Sequence, residues 1–264
     1  MDKEAVNKND DNCLKGAAAM LNRCTSSAKR ATWSLGRRVV FATAGLMTLT
    51  LAVPFGGPSQ VALGAEIPSA LEADSEGWVD LLPPADLKGW YRVAVPPSGG
   101  LGRQQWHVEP DQKLLVCDGD GGHDMLLFEN EFGDAIFHVE FRYERIEGKS
   151  GYNSGVYVRN SRDGAIWHQA QIGDASGGYL FGETPADGKP TFFTFATAVK
   201  DPRVKPAGQW NTLEMTAQEK TLTLWVNGAV TCQFHDCGQE KGRIGVEGEG
   251  YRIEFRNLKV KELR

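Results

Sequence analysis

Ala135-Ile136-Phe137-His138-Val139-Glu140-Phe141-Arg142-Tyr143-Glu144-Arg145 is the stretch that decides the fold. Phe137, Val139, Phe141 and Tyr143 share one parity. Ile136, His138, Glu140, Arg142 and Glu144 share the other. Successive side chains of a strand point to opposite faces, so this alternation predicts an antiparallel sheet with one face on a core and one in water. Outward along the chain the rhythm returns. Leu222, Leu224 and Val226 oppose Thr223, Trp225 and Asn227; Ile244 and Val246 oppose Glu247; Ile253 and Phe255 oppose Arg252, Glu254 and Arg256. Asn227-Gly228 between two such runs is a hairpin signal. No stretch after residue 78 has the spacing of a long amphipathic helix. Many short strands with few helices predict a β-sandwich. Residues 173–209 alone break the rhythm, with six Gly, four Pro and Phe192, Phe193 and Phe195. They read as a long loop, either one wall of a cleft or an apolar flap over an end of the sandwich.

Four segments are expected: a basic region at 1–38, an apolar one at 39–65, a linker at 66–77 and the β domain at 78–264. The formal net charge is −5, and it is unevenly spread. Residues 1–38 carry +4, residues 39–65 carry nothing, and −9 is left on 66–264. An acidic body argues against nucleic acid, whose phosphates call for clustered Lys and Arg. Arg37-Arg38, the apolar run Val39–Val53 and the small residues ending at Ala65 have the three parts of an export signal. The expected location is therefore secreted or periplasmic, with cleavage near Ala65, or membrane-anchored through an uncut 39–53. The run Val39–Val53 is short for a spanning helix. Cys117, Cys232 and Cys237 remain after the signal. They allow at most one internal disulfide, with Cys232–Cys237 the expected pair, or else they are small buried hydrophobes.

Polar residues of shared parity mark the candidate site. Glu140 and Arg142 form one pair, Tyr157 and Arg159 a second, Gln169 and Gln171 (with Trp167) a third, and Glu247 and Glu249 a fourth. His168 falls with the inward, apolar set and reads as a core histidine. Stacked on neighbouring strands, the outward groups would form a concave surface of carboxylates, amides, guanidinium and rings. Rings stack on sugar C–H faces while amides and carboxylates bind hydroxyls. Asp118-Gly119-Asp120-Gly121-Gly122-His123-Asp124 lacks the ligand spacing of a calcium hand and reads as a turn, so no metal is expected.

The runs Glu140-Phe141-Arg142, Asn153-Ser154-Gly155-Val156-Tyr157-Val158-Arg159 and Gln171-Ile172 carry a resemblance. So do Trp210-Asn211-Thr212, Trp225-Val226-Asn227-Gly228, Gly245-Val246-Glu247-Gly248-Glu249-Gly250 and Glu254-Phe255-Arg256-Asn257. Together with Gly89-Trp90 and Trp106 they make residues 78–264 similar to the 3-keto-disaccharide hydrolase domain family. The resemblance implies a concanavalin-like jelly-roll β-sandwich and a role in sugar breakdown. It also implies a substrate that is a small sugar or oligosaccharide bearing a ketone at C3. The expected mechanism is proton abstraction at C2, elimination at C1 and hydration. Relatives usually carry Glu-x-Gln where this chain has Gln169-Ala170-Gln171, and Gln where this chain has Glu247. A carboxylate has moved between strands, or activity has been lost. The expected base is Glu140 or Glu249, with Glu247 as its proton partner. Arg142, Asn153, Tyr157, Arg159, Gln169 and Gln171 would hold substrate, and Lys205 would close over the oxyanion. No nucleotide-binding loop is present, so no cofactor is expected and a separate oxidase must make the ketone. The rival reading is a carbohydrate-binding module of the same fold; a purely structural envelope protein would neither bind nor cleave sugar. A laminarinase-type enzyme would need Glu-x-Asp-x-x-Glu, which the chain lacks. The sequence leaves the oligomeric state open.

Overall fold

The structure, a computed structural model, describes residues 66–174 and 177–263. The basic region 1–38 and the apolar segment 39–65 lie outside the described residues, as do the signal and the membrane anchor expected there. No helix among the described residues is long and apolar enough to cross a membrane.

A short helix α1 (Ala70–Ala73) precedes the strands. In chain order these are β1 (Val79–Asp80), β2 (Trp90–Ala94), β3 (Trp106–Glu109), β4 (Leu114–Cys117), β5 (Asp124–Phe128), β6 (Ala135–Tyr143), β7 (Gly155–Asn160) and β8 (Trp167–Gln171). They continue as β9 (Tyr179–Ala186), β10 (Lys189–Thr194), β11 (Asn211–Gln218), β12 (Thr221–Val226), β13 (Ala229–Phe234), β14 (Arg243–Gly248) and β15 (Ile253–Glu262). Two antiparallel sheets result. The first runs β13-β12-β11-β6-β15-β4-β3, with β1 on the far end of β15. The second runs β10-β9-β8-β7-β14-β5-β2.

The alternation of 135–143 survives in space. Phe137, Val139, Phe141 and Tyr143 are buried, while Ile136, Glu140 and Arg142 are half-buried on the outer face. Between the sheets one core joins Phe141, Leu213, Met215 and Phe255 of the first sheet to Leu126, Val156, Ala170, Leu180 and Val246 of the second. Asn227 (φ 43°) and Gly228 (φ 102°) make the expected hairpin between β12 and β13, since a two-residue turn of this hand needs positive φ at both positions.

Residues 173–209 are not a structureless loop. Positions 179–194 form the β9–β10 hairpin, turned at Asp187-Gly188. Pro190 is tolerated because β10 is an edge strand. Its partner Pro185 lies beyond the part of β9 that pairs with β8.

Residues 66–80 are tied to the outer face of the first sheet. The Glu214 carboxylate accepts the backbone N–H of Ala70 (2.7 Å) and of Leu71 (3.1 Å), and His138 Nδ1 lies 2.8 Å from it. Ser69 and Glu72 cap the helix reciprocally. This explains why His138, outward by parity, is nevertheless buried.

The expected Cys232–Cys237 bridge is absent. Cys117, Cys232 and Cys237 are all buried free thiols. Burial pushes Cys117 up to about 12 and Cys232 up to about 11. Cys237 Sγ donates to the Gln239 carbonyl (3.4 Å) and lies 3.5 Å from His168 Nε2. His168 sits in the core as its parity predicts, with its Nδ1 buried and unpaired. Burial lowers its pKa to about 4. The native state therefore prefers the neutral ring while the unfolded chain protonates near 6.5. Stability from this residue is complete above pH 6.5 and falls as pH drops towards 4, by about 3 kcal/mol in all. Thermal melts of wild type and His168→Leu check this: the wild type loses Tm more steeply between pH 6.5 and 4. Parallel curves would show that the ring is not held neutral.

Candidate functional site

The outer face of the second sheet is read from its register. Tyr91 and Val93 of β2 lie beside Leu127 and Met125 of β5, which lie beside Gly245 and Glu247 of β14. Next come Tyr157 and Gly155 of β7, then Gln169 and Gln171 of β8, then Phe181 and Tyr179 of β9. The face divides. Met125, Leu127 and Tyr157 pack with Tyr91, Val93, Val95 and Trp167 into a second apolar cluster. The β7–β8 loop folds onto it: a Cβ on Gly164 would lie 3.0 Å from the Met125 methyl and 3.1 Å from Val93. The concave surface expected from the outward groups is thus filled on that side.

On the other side the polar groups meet. Glu247 is buried and accepts from Tyr157 OH (2.6 Å) and Gln169 Nε2 (2.8 Å), with His123 Nε2 at 2.8 Å. Glu249, one alternation further, lies 3.7 Å from the same His123 nitrogen. Asn153 bridges to Glu249 in the backbone and receives Gln171 Nε2 on its Oδ1. Ser154 Oγ donates to the Glu247 carbonyl (2.7 Å) and holds the strand in place. Gly155 stands between Glu247 and Gln171, and the Gln169 side chain crosses over it. A Cβ there would lie 2.2 Å from Gln169 Nε2, so glycine is what lets the amide reach the carboxylate.

The electrostatics follow from this crowding. Burial raises the Glu249 pKa, the adjacent Glu247 charge raises it further, and His123 and Asn153 offset only part. Burial opposes the charged form of His123, but the hydrogen bond to Glu247 and the charges of Glu247 and Glu249 outweigh it, so its pKa is raised. Tyr157 is held neutral well past its usual range by burial and the Glu247 charge. A more basic carboxylate and a more persistent imidazolium sit side by side, roughly a third exposed each. Proton transfer needs such a pair. Among the described residues, His123, Glu247 and Glu249 place one ligand atom each within 4.8 Å of one another and could hold a divalent cation.

Six of the ten expected site residues come together here: Glu247, Glu249, Asn153, Tyr157, Gln169 and Gln171. Four do not. Glu140 lies on the outer face of the first sheet, bonded to Arg256 (2.8 Å) and Asn257 (2.6 Å). Arg142 is on the same face, paired with Glu254 and 4.7 Å over the Trp210 ring. Lys205 donates to the Trp210 carbonyl (3.1 Å) and follows that residue, not the cluster. Arg159 turns inward. A register shift against β14 at this point, with φ 52°, aims its guanidinium at Asp134 and three backbone carbonyls. His123 was missed. It precedes Met125 and Leu127 at the same parity, which is the signal that places it on this face.

No curated protein matches the chain in sequence. Among solved structures it is similar to a Parabacteroides distasonis ATCC 8503 protein assigned as a glycosyl hydrolase, at 16% identity and TM-score 0.51, over 75% of this chain and 99% of that one. It is also similar to the Bacillus subtilis carbohydrate-binding module CBM66, at 14% identity and TM-score 0.47, over 66% and 96%. A β-1,3-1,4-glucanase (lichenase) from a mouse hindgut metagenome aligns at 10% identity and TM-score 0.48, over 70% and 97%. The first of these shares the two-sheet fold of this chain. The family model described as 3-keto-alpha-glucoside-1,2-lyase-like domain matches residues 77–261, in line with the motifs of Asn153–Arg159 and Gly245–Asn257, and the chain belongs to that family.

Proposed function

We propose that this protein cleaves 3-keto-glycosides, with Glu249 and His123 as the acid–base pair and Glu247 as the group that orients and charges His123. A ketone at C3 acidifies the C2 proton. Glu249 takes that proton, and the electron pair passes to the ketone oxygen as an enolate. The ketone reforms as the C1–O bond breaks, leaving a C1=C2 double bond. The imidazolium of His123 gives its proton to the departing oxygen. Addition of water to the double bond then completes a net hydrolysis. Asn153 and Gln171 lie beside Glu249 and would bind ring hydroxyls.

The observation that carries this reading is the placement of Glu249 3.7 Å from the His123 ring that Glu247 holds at 2.8 Å, with Glu249 and His123 both partly exposed and the Glu249 carboxyl raised. The amide at 169 does not leave the site short of a carboxylate. Gln169 donates directly to Glu247, so the charge sits at the other end of one hydrogen bond. The test is to incubate the protein with a 3-keto-glucoside and with the unmodified glucoside. Release of the leaving group from the first alone is expected. Binding of both with release from neither would make the protein a carbohydrate-binding module instead.

A further inference from the structure

The half of the second sheet beyond Gln169 and Gln171 carries more rings than a solvated sheet face needs. Tyr179 is the register partner of Gln171, Phe181 of Gln169, and Glu183 of Trp167. All share the face of Glu247. Trp167 and Phe181 meet edge to face at 5.0 Å, and Phe181 and Tyr179 tilt together at 5.6 Å. On the edge strand Phe192 pairs with Glu183 and Thr194 with Phe181, so both extend the same surface. Phe192 is 59% exposed, while its neighbour Phe193 points inward and stacks on Phe234 at 3.9 Å. The inward residues of β9, Leu180 and Thr184, are buried; the outward Tyr179, Phe181 and Glu183 are half-buried. An apolar surface of rings, continuous with a polar cluster, marks a binding surface.

We infer that Trp167, Phe181, Tyr179 and Phe192 form a shelf for the part of the substrate that leaves. Its occupant is the second sugar ring, joined to C1 of the keto-sugar. This inference rests on the proposed reaction at Glu249. Two observations choose that occupant. From β14 to β9 there are three strand spacings, roughly 14 Å, a span that one pyranose ring does not bridge and a disaccharide does. The shelf also begins at Gln169 and Gln171, which already belong to the polar cluster, so one ligand passes from one to the other without a gap. The rings offer faces to sugar C–H groups, and Glu183 and Thr194 offer acceptors to its hydroxyls.

The experiment compares wild type with Phe181→Ser and Phe192→Ser on a 3-keto-disaccharide and on methyl 3-keto-glucoside, which lacks a second ring. The expected result is a loss of kcat/KM about tenfold greater for the disaccharide than for the methyl glycoside, carried by KM, as the removal of one or two ring contacts predicts. Equal losses on both substrates, or none on either, overturn the shelf and leave the proposed reaction standing. Calorimetric binding of the unmodified disaccharide is measured in parallel. Weakened binding in both variants, in a protein that turns over neither keto-sugar, would keep the shelf and remove the reaction. Sedimentation closes the last alternative. A wild-type dimer that Phe192→Ser makes monomeric, with both substrates unaffected, would make this surface a contact between copies and overturn the inference.

Discussion

Replacing Glu249 with Gln lowers turnover of a 3-keto-glucoside by about 10²–10⁴-fold, the range expected when a positioned base is removed. The substitution keeps the shape and one acceptor oxygen of the side chain and leaves the backbone bridge to Asn153 in place, so the fold should be unchanged. KM is expected to move little, because the loss lies in proton transfer and not in holding the sugar. The pH profile supplies a second reading. Glu249 must be ionised and its pKa is raised, so kcat/KM falls on the acid side at a pH above the ordinary carboxylate range. His123 must be protonated and its pKa is also raised, so the alkaline limb lies above the ordinary imidazole value. A flat profile across both limbs, or a Glu249→Gln enzyme within threefold of wild type, would remove the pair from the mechanism. Glu140→Gln serves as the control. Its carboxylate belongs to an Arg256–Asn257 network on the opposite sheet, so it leaves the rate alone.

Arg159→Leu is the second large effect, and it acts on stability. The side chain is 1% exposed and donates to Asp134 Oδ1 (2.8 Å) and to the carbonyls of Glu219 (2.5 Å), Gln239 (3.1 Å) and Gly133 (3.4 Å). Leucine fills part of the volume and leaves the Asp134 carboxylate and these part-buried carbonyls without their donor. Each orphaned group costs about 1–3 kcal/mol, so a total loss of about 3–5 kcal/mol is expected. Urea unfolding measures it. The fraction that remains folded should turn over substrate at the wild-type kcat. Unchanged stability with a tenfold higher KM would instead return Arg159 to the sugar site.

The fate of Arg159 illustrates where sequence reading stops. Alternation places a side chain on one side of its own strand, and it did so for Glu140, Arg142, Tyr157, Gln169 and Glu247. A sandwich has two outer faces, however, and alternation carries no information about which sheet a strand joins. Glu140 and Glu247 have the same outward parity and end on opposite sides of the molecule, because β6 and β14 belong to different sheets. One bulge suffices to defeat parity altogether, as at Arg159, where a single left-handed residue turns an outward guanidinium into the core. His123 was legible by its spacing from Met125 and Leu127, but the glycines before it drew the reading to a turn. The β9–β10 hairpin was hidden by Pro185 and Pro190, whose positions make sense only once β10 is known to be an edge.

By itself the sequence determined that this protein is an antiparallel sandwich, which residues line its interior, and which family its motifs resemble. Those properties are local: they follow from a period of two, from turn residues with positive φ, and from runs of contiguous residues. Only the tertiary structure decided that His123, Glu247 and Glu249 meet, that Glu140 and Arg142 are elsewhere, and that a ring-lined wing extends from the cluster. Strand order is set by how two whole sheets bury their apolar faces against each other, and that is a property of the entire chain rather than of any stretch within it.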